Sequence, residues 1–207
     1  MPFYRQQIKT ACEHLCKSDP IMNAIINQVG PFTAKARRDR FTTLVFSIIS
    51  QQISVAAAAT IKQRLVDSFP DQKVNAERLA QYSVEQLREL GVSRQKAIYV
   101  LDLSNKVHRG KVVLEQMHRK TNQEIIDELV QVKGIGVWTA QMFLMFSMAR
   151  LNVLPVDDLG IKNAVASHYG FGNLPDRKQI EKVAQKWQPY ETIACWYLWR
   201  SLENSPG

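Results

Sequence analysis

Three observations predict an all-α fold. Helix-forming segments with start signals run through almost the whole chain, strand signals are poor, and no long linker separates autonomous domains. Val153-Leu154-Pro155-Val156 could pass for a strand, but Pro155 cannot donate to a ladder and argues against a central one. With 207 residues and 45% hydrophobic content, the chain can bury a proper core, as one large domain or two small lobes sharing an interface. It contains no internal repeat and no low-complexity region.

The elements follow in order. Residues 4–17 and 20–29 are short amphipathic helices, the second opening after Asp19-Pro20, a helix-start signal. Lys35 to Arg40 is a basic loop, in which Arg37, Arg38 and Arg40 are read as a solvated face. From Phe41 to about Phe69 apolar residues are dense and Ala56 to Ala59 favour helix; a break at Gln51-Gln52 divides the segment in two. Ser83-Val84-Glu85-Gln86 resembles a capping box and starts a helix over 84–90. Further helices are expected at 94–108, 121–131 and 137–149. Leu151 to Val156 is an extended connection. Helices at 158–169, 176–187 and 190–203 complete the chain, with Pro175 and Pro189 marking starts.

Lys and Arg total 27 against 19 Asp and Glu, a net charge of +8. That balance favours a polyanionic partner such as nucleic acid. No apolar run is long enough to span a bilayer, and the N-terminus has no signal-peptide core, so an intracellular protein with no membrane partner is expected. Cys12, Cys16 and Cys195 form neither a disulfide framework nor a zinc spacing; Cys12 and Cys16 lie one helical turn apart, which suits burial on one face. His14, His108, His118 and His168 show no metal spacing either.

Chemistry concentrates between Leu129 and Ile161. Lys133-Gly134-Ile135-Gly136-Val137-Trp138-Thr139-Ala140 reads as a helix ending at a hairpin with two glycines, with a second helix starting at once. A turn that tight needs glycine, and the new helix presents free N–H groups that suit a phosphate. An ordinary C-cap glycine is the alternative. About twenty residues on, Asp157-Asp158 sits just past Pro155. An Asp before an apolar helical run is among the commonest N-caps. A phosphate holder followed by a carboxylate also suggests chemistry on a nucleic acid. Trp138 and Trp199 suit either core packing or stacking on a base, and Gln51-Gln52 either a polar loop or a probe of DNA.

Four blocks, in order, resemble the helix-hairpin-helix DNA glycosylase superfamily, most closely its AlkA-type 3-methyladenine DNA glycosylase II branch. They are Ser50-Gln51-Gln52-Ile53-Ser54, the hairpin from Lys133 to Ala140, Val156-Asp157-Asp158-Leu159-Gly160-Ile161-Lys162, and Trp187-Gln188-Pro189 with Trp196-Tyr197-Leu198-Trp199. The resemblance spans roughly Phe41 to Trp199. It implies a two-lobed helical fold with the active site in the inter-lobe cleft. Lobe A would comprise about 1–35 plus 152–207, and lobe B about 36–151, with the helix-hairpin-helix at about 121–149.

The resemblance also implies a monofunctional enzyme acting as a monomer on double-stranded DNA. It would flip out alkylated bases such as 3-methyladenine and 7-methylguanine and hydrolyse the glycosidic bond, leaving an abasic site. Asp158 takes the catalytic position and Asp157 caps or positions. Trp138 and Trp199 align with base-pocket residues; bifunctional glycosylase/lyases for oxidised bases carry a lysine nucleophile where Trp138 stands. Lys133, Gly134, Ile135 and Gly136 would grip backbone phosphate, and Gln51 and Gln52 would probe the gap left by the flipped base. Carbonyls of Val130, Val132 and Ile135 would hold a monovalent cation, Na+ or K+. No other cofactor is required, and the four closely spaced C-terminal cysteines of iron–sulfur relatives are absent. Lys133 stands where the family usually has proline, which implies a less rigid hairpin. Trp187 and Trp196 are assigned to the core. The remaining alternative is a hairpin module that grips DNA without chemistry.

Overall fold

The computed structural model describes residues 2–37 and 39–203, so Arg38 of the basic stretch lies outside the described residues. Among these residues the secondary structure is helical, with no strand. The chain divides into two compact units, residues 1–35 with 149–207, and residues 36–148. No described helix is long and apolar enough to cross a membrane.

The first unit contains α1 (Pro2–Ser18), α2 (Pro20–Val29), α10 (Leu159–Tyr169), α11 (Arg177–Ala184) and α12 (Glu191–Glu203). Helix α12 is its centre. Seven successive residues, Thr192 to Leu198, are all buried, so the helix is enclosed on every side rather than along one stripe. It packs on α10, α2 and α1. Trp187 and Trp196 both lie in this core, as expected. Cys12 and Cys16 are only half-buried; Cys195, on α12, is fully buried.

One buried carboxylate ties this unit together. Asp19 is fully buried and caps α2 by accepting the N–H groups of Ile21 and Met22 at 3.0 and 3.3 Å. Its other oxygen accepts the Tyr169 hydroxyl at 2.7 Å and the Trp187 indole N–H at 3.1 Å. A buried charge is tolerable only when hydrogen-bonded, and four donors satisfy this one. Burial, together with the neighbouring Asp19, pushes the Tyr169 hydroxyl well above the usual tyrosine range, so it stays a donor.

The second unit contains α3 (Arg40–Ser50), α4 (Val55–Asp67), α5 (Ala76–Leu79), α6 (Val84–Glu89), α7 (Arg94–His108), α8 (Asn122–Leu129) and α9 (Val137–Phe146). Helix α7 packs on α3, α5 and α6, while α9 packs on α8 and α3. The expected capping box at Ser83 and Gln86 is formed. Arg40 departs from the solvated reading: its guanidinium donates to the Leu114 carbonyl at 2.6 Å.

Several boundaries differ from the sequence expectation. The expected helix 137–149 stops at Phe146, and Ala149 turns left-handed at φ 53°. The expected 176–187 helix ends at Ala184 and tightens into a 3-10 turn over Gln185–Trp187. Helix α5 and the 3-10 helix Leu114–Arg119 were not anticipated, because segments of 4 and 6 residues are too short to display a period.

Asp19→Ala is expected to cost about 3–5 kcal/mol, because it removes a helix cap and leaves a buried hydroxyl and indole N–H without their acceptor. The corresponding fall in Tm is roughly 10 °C for a chain of this size. Thermal unfolding of the variant measures it, and a shift of only a degree or two would show that Asp19 carries no such burden.

Candidate active site

In the first unit, the extended connection before α10 ends in a turn closed by the Asp158 N–H on the Pro155 carbonyl, at 3.0 Å. Asp158 then caps α10: its Oδ1 accepts the Ile161 N–H at 2.8 Å. The same oxygen accepts the indole N–H of Trp199, also at 2.8 Å. The carboxylate is therefore both a cap and a fixed charge. Two donors on one oxygen hold its plane, and a carboxylate has acceptor capacity beyond two bonds. Trp199 thus contacts the carboxylate itself, a link that alignment with a pocket tryptophan does not convey.

Gly160 makes that contact sterically feasible. A Cβ there would lie 2.9 Å from Trp199 Cδ1, closer than a real Cβ comes, and a tight 3.0 Å from Asp158 Oδ1. Asp157 neither caps nor faces this arrangement. It is 69% exposed and ion-paired with Arg177 and, at 3.9 Å, with Lys162. Cys195 is close enough to feel the Asp158 charge. Burial raises its thiol pKa far above normal, and the carboxylates of Asp158 and Glu191 raise it further, so it is a neutral packing residue rather than a nucleophile.

In the second unit the hairpin joins α8 to α9. Gly134 adopts φ 80°, and a Cβ there would lie 2.1 Å from the Tyr99 ring, so both conformation and space demand glycine. Gly136 differs: its φ is −93° and nothing lies within 4 Å of a built Cβ. It starts α9 with no side-chain cap, and Gly136, Val137 and Trp138 are all exposed there. An uncapped, exposed helix start of this kind presents N–H groups to an anion.

Lys133 gives the hairpin a hydrogen bond of its own. Its backbone N–H, which a proline would lack, donates to Asp102 Oδ2 at 2.9 Å. Lys106 donates to the same oxygen at 2.6 Å and to the Gln131 carbonyl at 2.7 Å. Burial alone would raise the Asp102 pKa, but the bonds from Lys106 and Lys133 outweigh it and hold the carboxyl below its usual value. Val132 and Ile135 turn their side chains into the core. The carbonyls of Val130, Val132 and Ile135 are neutral oxygens from one turn, a donor set suited to a hard monovalent cation. The Val132 carbonyl also accepts the Ile135 N–H at 3.1 Å, which leaves it a second lone pair.

The two glutamines separate in role. Gln51 ends α3 and donates its side-chain amide to the Gly134 carbonyl at 2.9 Å, so it braces the hairpin from inside the unit. Gln52 is exposed and left-handed at φ 55°, a conformation that costs a non-glycine residue energy. Lys96 steadies this turn by donating to the carbonyls of Ile49 and Gln51, and burial lowers its pKa. Trp138 is 52% exposed on the first turn of α9, unlike the buried Trp187 and Trp196. Lys96, Tyr99, Asp102 and Lys106 were not anticipated. Their spacing of three, three and four residues on α7 was the available signal, since it marks one helix face.

Residues 45–189 match the family model of the HhH-GPD superfamily base excision DNA repair proteins. A solved DNA-3-methyladenine glycosidase from Bacillus halodurans is 32% identical, superposes with a TM-score of 0.86, and is matched over 94% of this chain and 89% of that one. A 3-methyladenine DNA glycosylase from Schizosaccharomyces pombe, solved with abasic DNA, is 28% identical with a TM-score of 0.82, covering 95% and 98%. The Bacillus subtilis protein YfjP is 32% identical over 169 residues; the match takes in 79% of this chain and 59% of that protein's length. The uncapped hairpin helix, the capping aspartate and these matches agree, and the chain belongs to the HhH-GPD superfamily of base excision DNA repair proteins.

Proposed function

We propose that this protein is a monofunctional DNA glycosylase that extrudes alkylated bases, chiefly 3-methyladenine-like purines and 7-methylguanine, from double-stranded DNA and hydrolyses their glycosidic bond. The observation that carries the reading is Asp158, an aspartate held on one oxygen by the Ile161 N–H and the Trp199 indole. Rupture of the C1′–N bond sends its electron pair to the base and leaves oxocarbenium-like charge on the sugar. A preorganised carboxylate stabilises that charge where it develops. Water then adds to C1′ and gives up a proton, for which the Asp158 carboxylate is the proposed acceptor, and an abasic site remains. A cationic alkylated base departs neutral, so less barrier lowering is needed than for a normal base.

The exposed start of α9, with Gly134 and Gly136 before it, would take a DNA backbone phosphate and position the duplex without reading sequence. Lys133 adds positive charge there, and Ile135 anchors the turn in the core. Gln52, exposed and left-handed, is the residue to fill the gap left by the flipped base; Gln51 acts from behind it by holding Gly134. Trp138 offers an indole face to an electron-poor base, and at its position a tryptophan cannot form the Schiff base of a glycosylase/lyase. Trp199 acts as a positioning residue for Asp158. The carbonyls of Val130, Val132 and Ile135 would hold a monovalent cation that steadies the hairpin. The cleavage is heterolytic and calls for no redox partner. We assign the protein to the intracellular compartment that holds DNA, acting as a monomer.

Three outcomes are expected. Asp158→Asn keeps an acceptor for Ile161 and Trp199, and Asn caps as well as Asp, so the fold and DNA affinity stay while most excision is lost. Single-turnover release of 3-methyladenine within a fewfold of wild type would move the catalytic role elsewhere. Gly160→Ala pits two effects against each other. Alanine favours a helix by up to about 1 kcal/mol, yet its Cβ displaces the Trp199 indole, so Tm should hold while excision falls about tenfold. Unchanged excision would mean that the indole does not orient the carboxylate. Trp138→Ala should cost about 1–3 kcal/mol of stacking, with a larger loss for cationic 3-methyladenine than for neutral hypoxanthine. Equal losses on the two bases would show that Trp138 shapes the surface without sensing charge.

A further inference from the structure

Helix α7 carries a carboxylate whose location runs against the charge of its surroundings. The hairpin is proposed to meet a polyanion, yet Asp102 sits directly behind it, with its Oδ2 on the Lys133 N–H at 2.9 Å. Bare electrostatics disfavours an anion beside a phosphate site. The geometry supplies the compensation. Lys106, one turn along the same helix, reaches both Asp102 Oδ2 and the Gln131 carbonyl, so one ion pair holds an N–H and a C=O on either side of Val132. The pair is largely shielded, with side-chain exposures of 24% for Lys106 and 21% for Asp102. Tyr99, on the same face, fills the space against Gly134.

We propose that Asp102 is a positioning residue for DNA binding: with Lys106 and Tyr99 it fixes the hairpin in the conformation that aims the α9 N–H groups outward. This rests on the reading of the hairpin as the phosphate grip. Neither Asp102 nor Tyr99 touches DNA in this scheme; both act through the Lys133–Gly136 backbone. The left-handed Gly134 lies between the Asp102 bond and the uncapped helix start, so release of the Lys133 N–H frees the turn that sets the direction of α9.

The sign of one mutational effect separates this scheme from simple electrostatics. Lys106 cannot discriminate, because losing a cation weakens binding to a polyanion in either case. Asp102 can. If it merely sits near the site, Asp102→Ala removes a repulsive charge and tightens binding. If it positions the hairpin, the same variant weakens binding despite the more favourable charge. The measurement is affinity of the full chain for a duplex containing an abasic-site analogue, at fixed salt, with Tm recorded in parallel. Asp102→Ala is expected to lose about tenfold in affinity, the scale of one charge-assisted hydrogen bond. Asp102→Asn, which keeps an acceptor for Lys133 but not the pair with Lys106, should lose about threefold and serves if the alanine variant fails to fold. Gly136→Arg, which blocks the phosphate site itself, is the control and should lose more than either. Unchanged or tighter binding by the Asp102 variants, with Gly136→Arg weakened, overturns the positioning role alone. Unchanged binding by Gly136→Arg overturns the hairpin as the DNA contact and the positioning role with it.

Discussion

A helix end leaves backbone groups without partners, and this protein is organised around how each end is completed. Side chains close the starts of most of its helices: Asp19, Asp39, Ser54, Asn75, Ser83, Ser93, Thr121, Asp158 and Asp176 each accept an N–H from the first turn. Helix α9 starts instead at Gly136, with no side-chain cap. On the proposed function a DNA phosphate completes that end. Capping and chemistry coincide at Asp158, where the oxygen that closes α10 belongs to the carboxylate assigned to the sugar.

The opposite ends follow the same logic with the opposite charge. Lys96 covers the carbonyls at the end of α3, and Lys106 covers a hairpin carbonyl just past α8. Cations suit helix C-termini, and both ammonium groups project from α7. One helix thereby steadies the turn that carries Gln52 and the turn that carries Gly134, and Gln51 bonds the two directly. Each unit also holds a carboxylate with its donors supplied: the fully buried Asp19 in the first, the partly shielded Asp102 in the second.

Glycine marks where space, rather than flexibility, decides. Gly160 admits the Trp199 indole to Asp158, and Gly134 admits the Tyr99 ring beneath the hairpin. Gly136 has neither constraint inside the chain, which fits a position kept open for an external group.

Much of this was legible in the residue order. Helix positions, the break at Gln51-Gln52, the capping box at Ser83, a cap within the Asp157-Asp158 pair and the burial of Trp187 and Trp196 all follow from hydrophobic period, caps and side-chain size, although the cap falls on Asp158 and not on Asp157. Those features are settled within one or two helical turns, so neighbouring residues carry the information. The partnerships that complete the site are not local. Trp199 meets Asp158 across 41 residues, Gln51 meets Gly134 across 83, and Lys133 meets Asp102 across 31. The residue order therefore leaves Gln51 between a polar loop and a DNA probe and Trp199 between core packing and a base pocket, and it names no partner for the Lys133 N–H. A side chain's period and cap preference say which way it faces along its own helix. Which donor or acceptor waits there depends on how the helices pack, and that is decided only when the core closes.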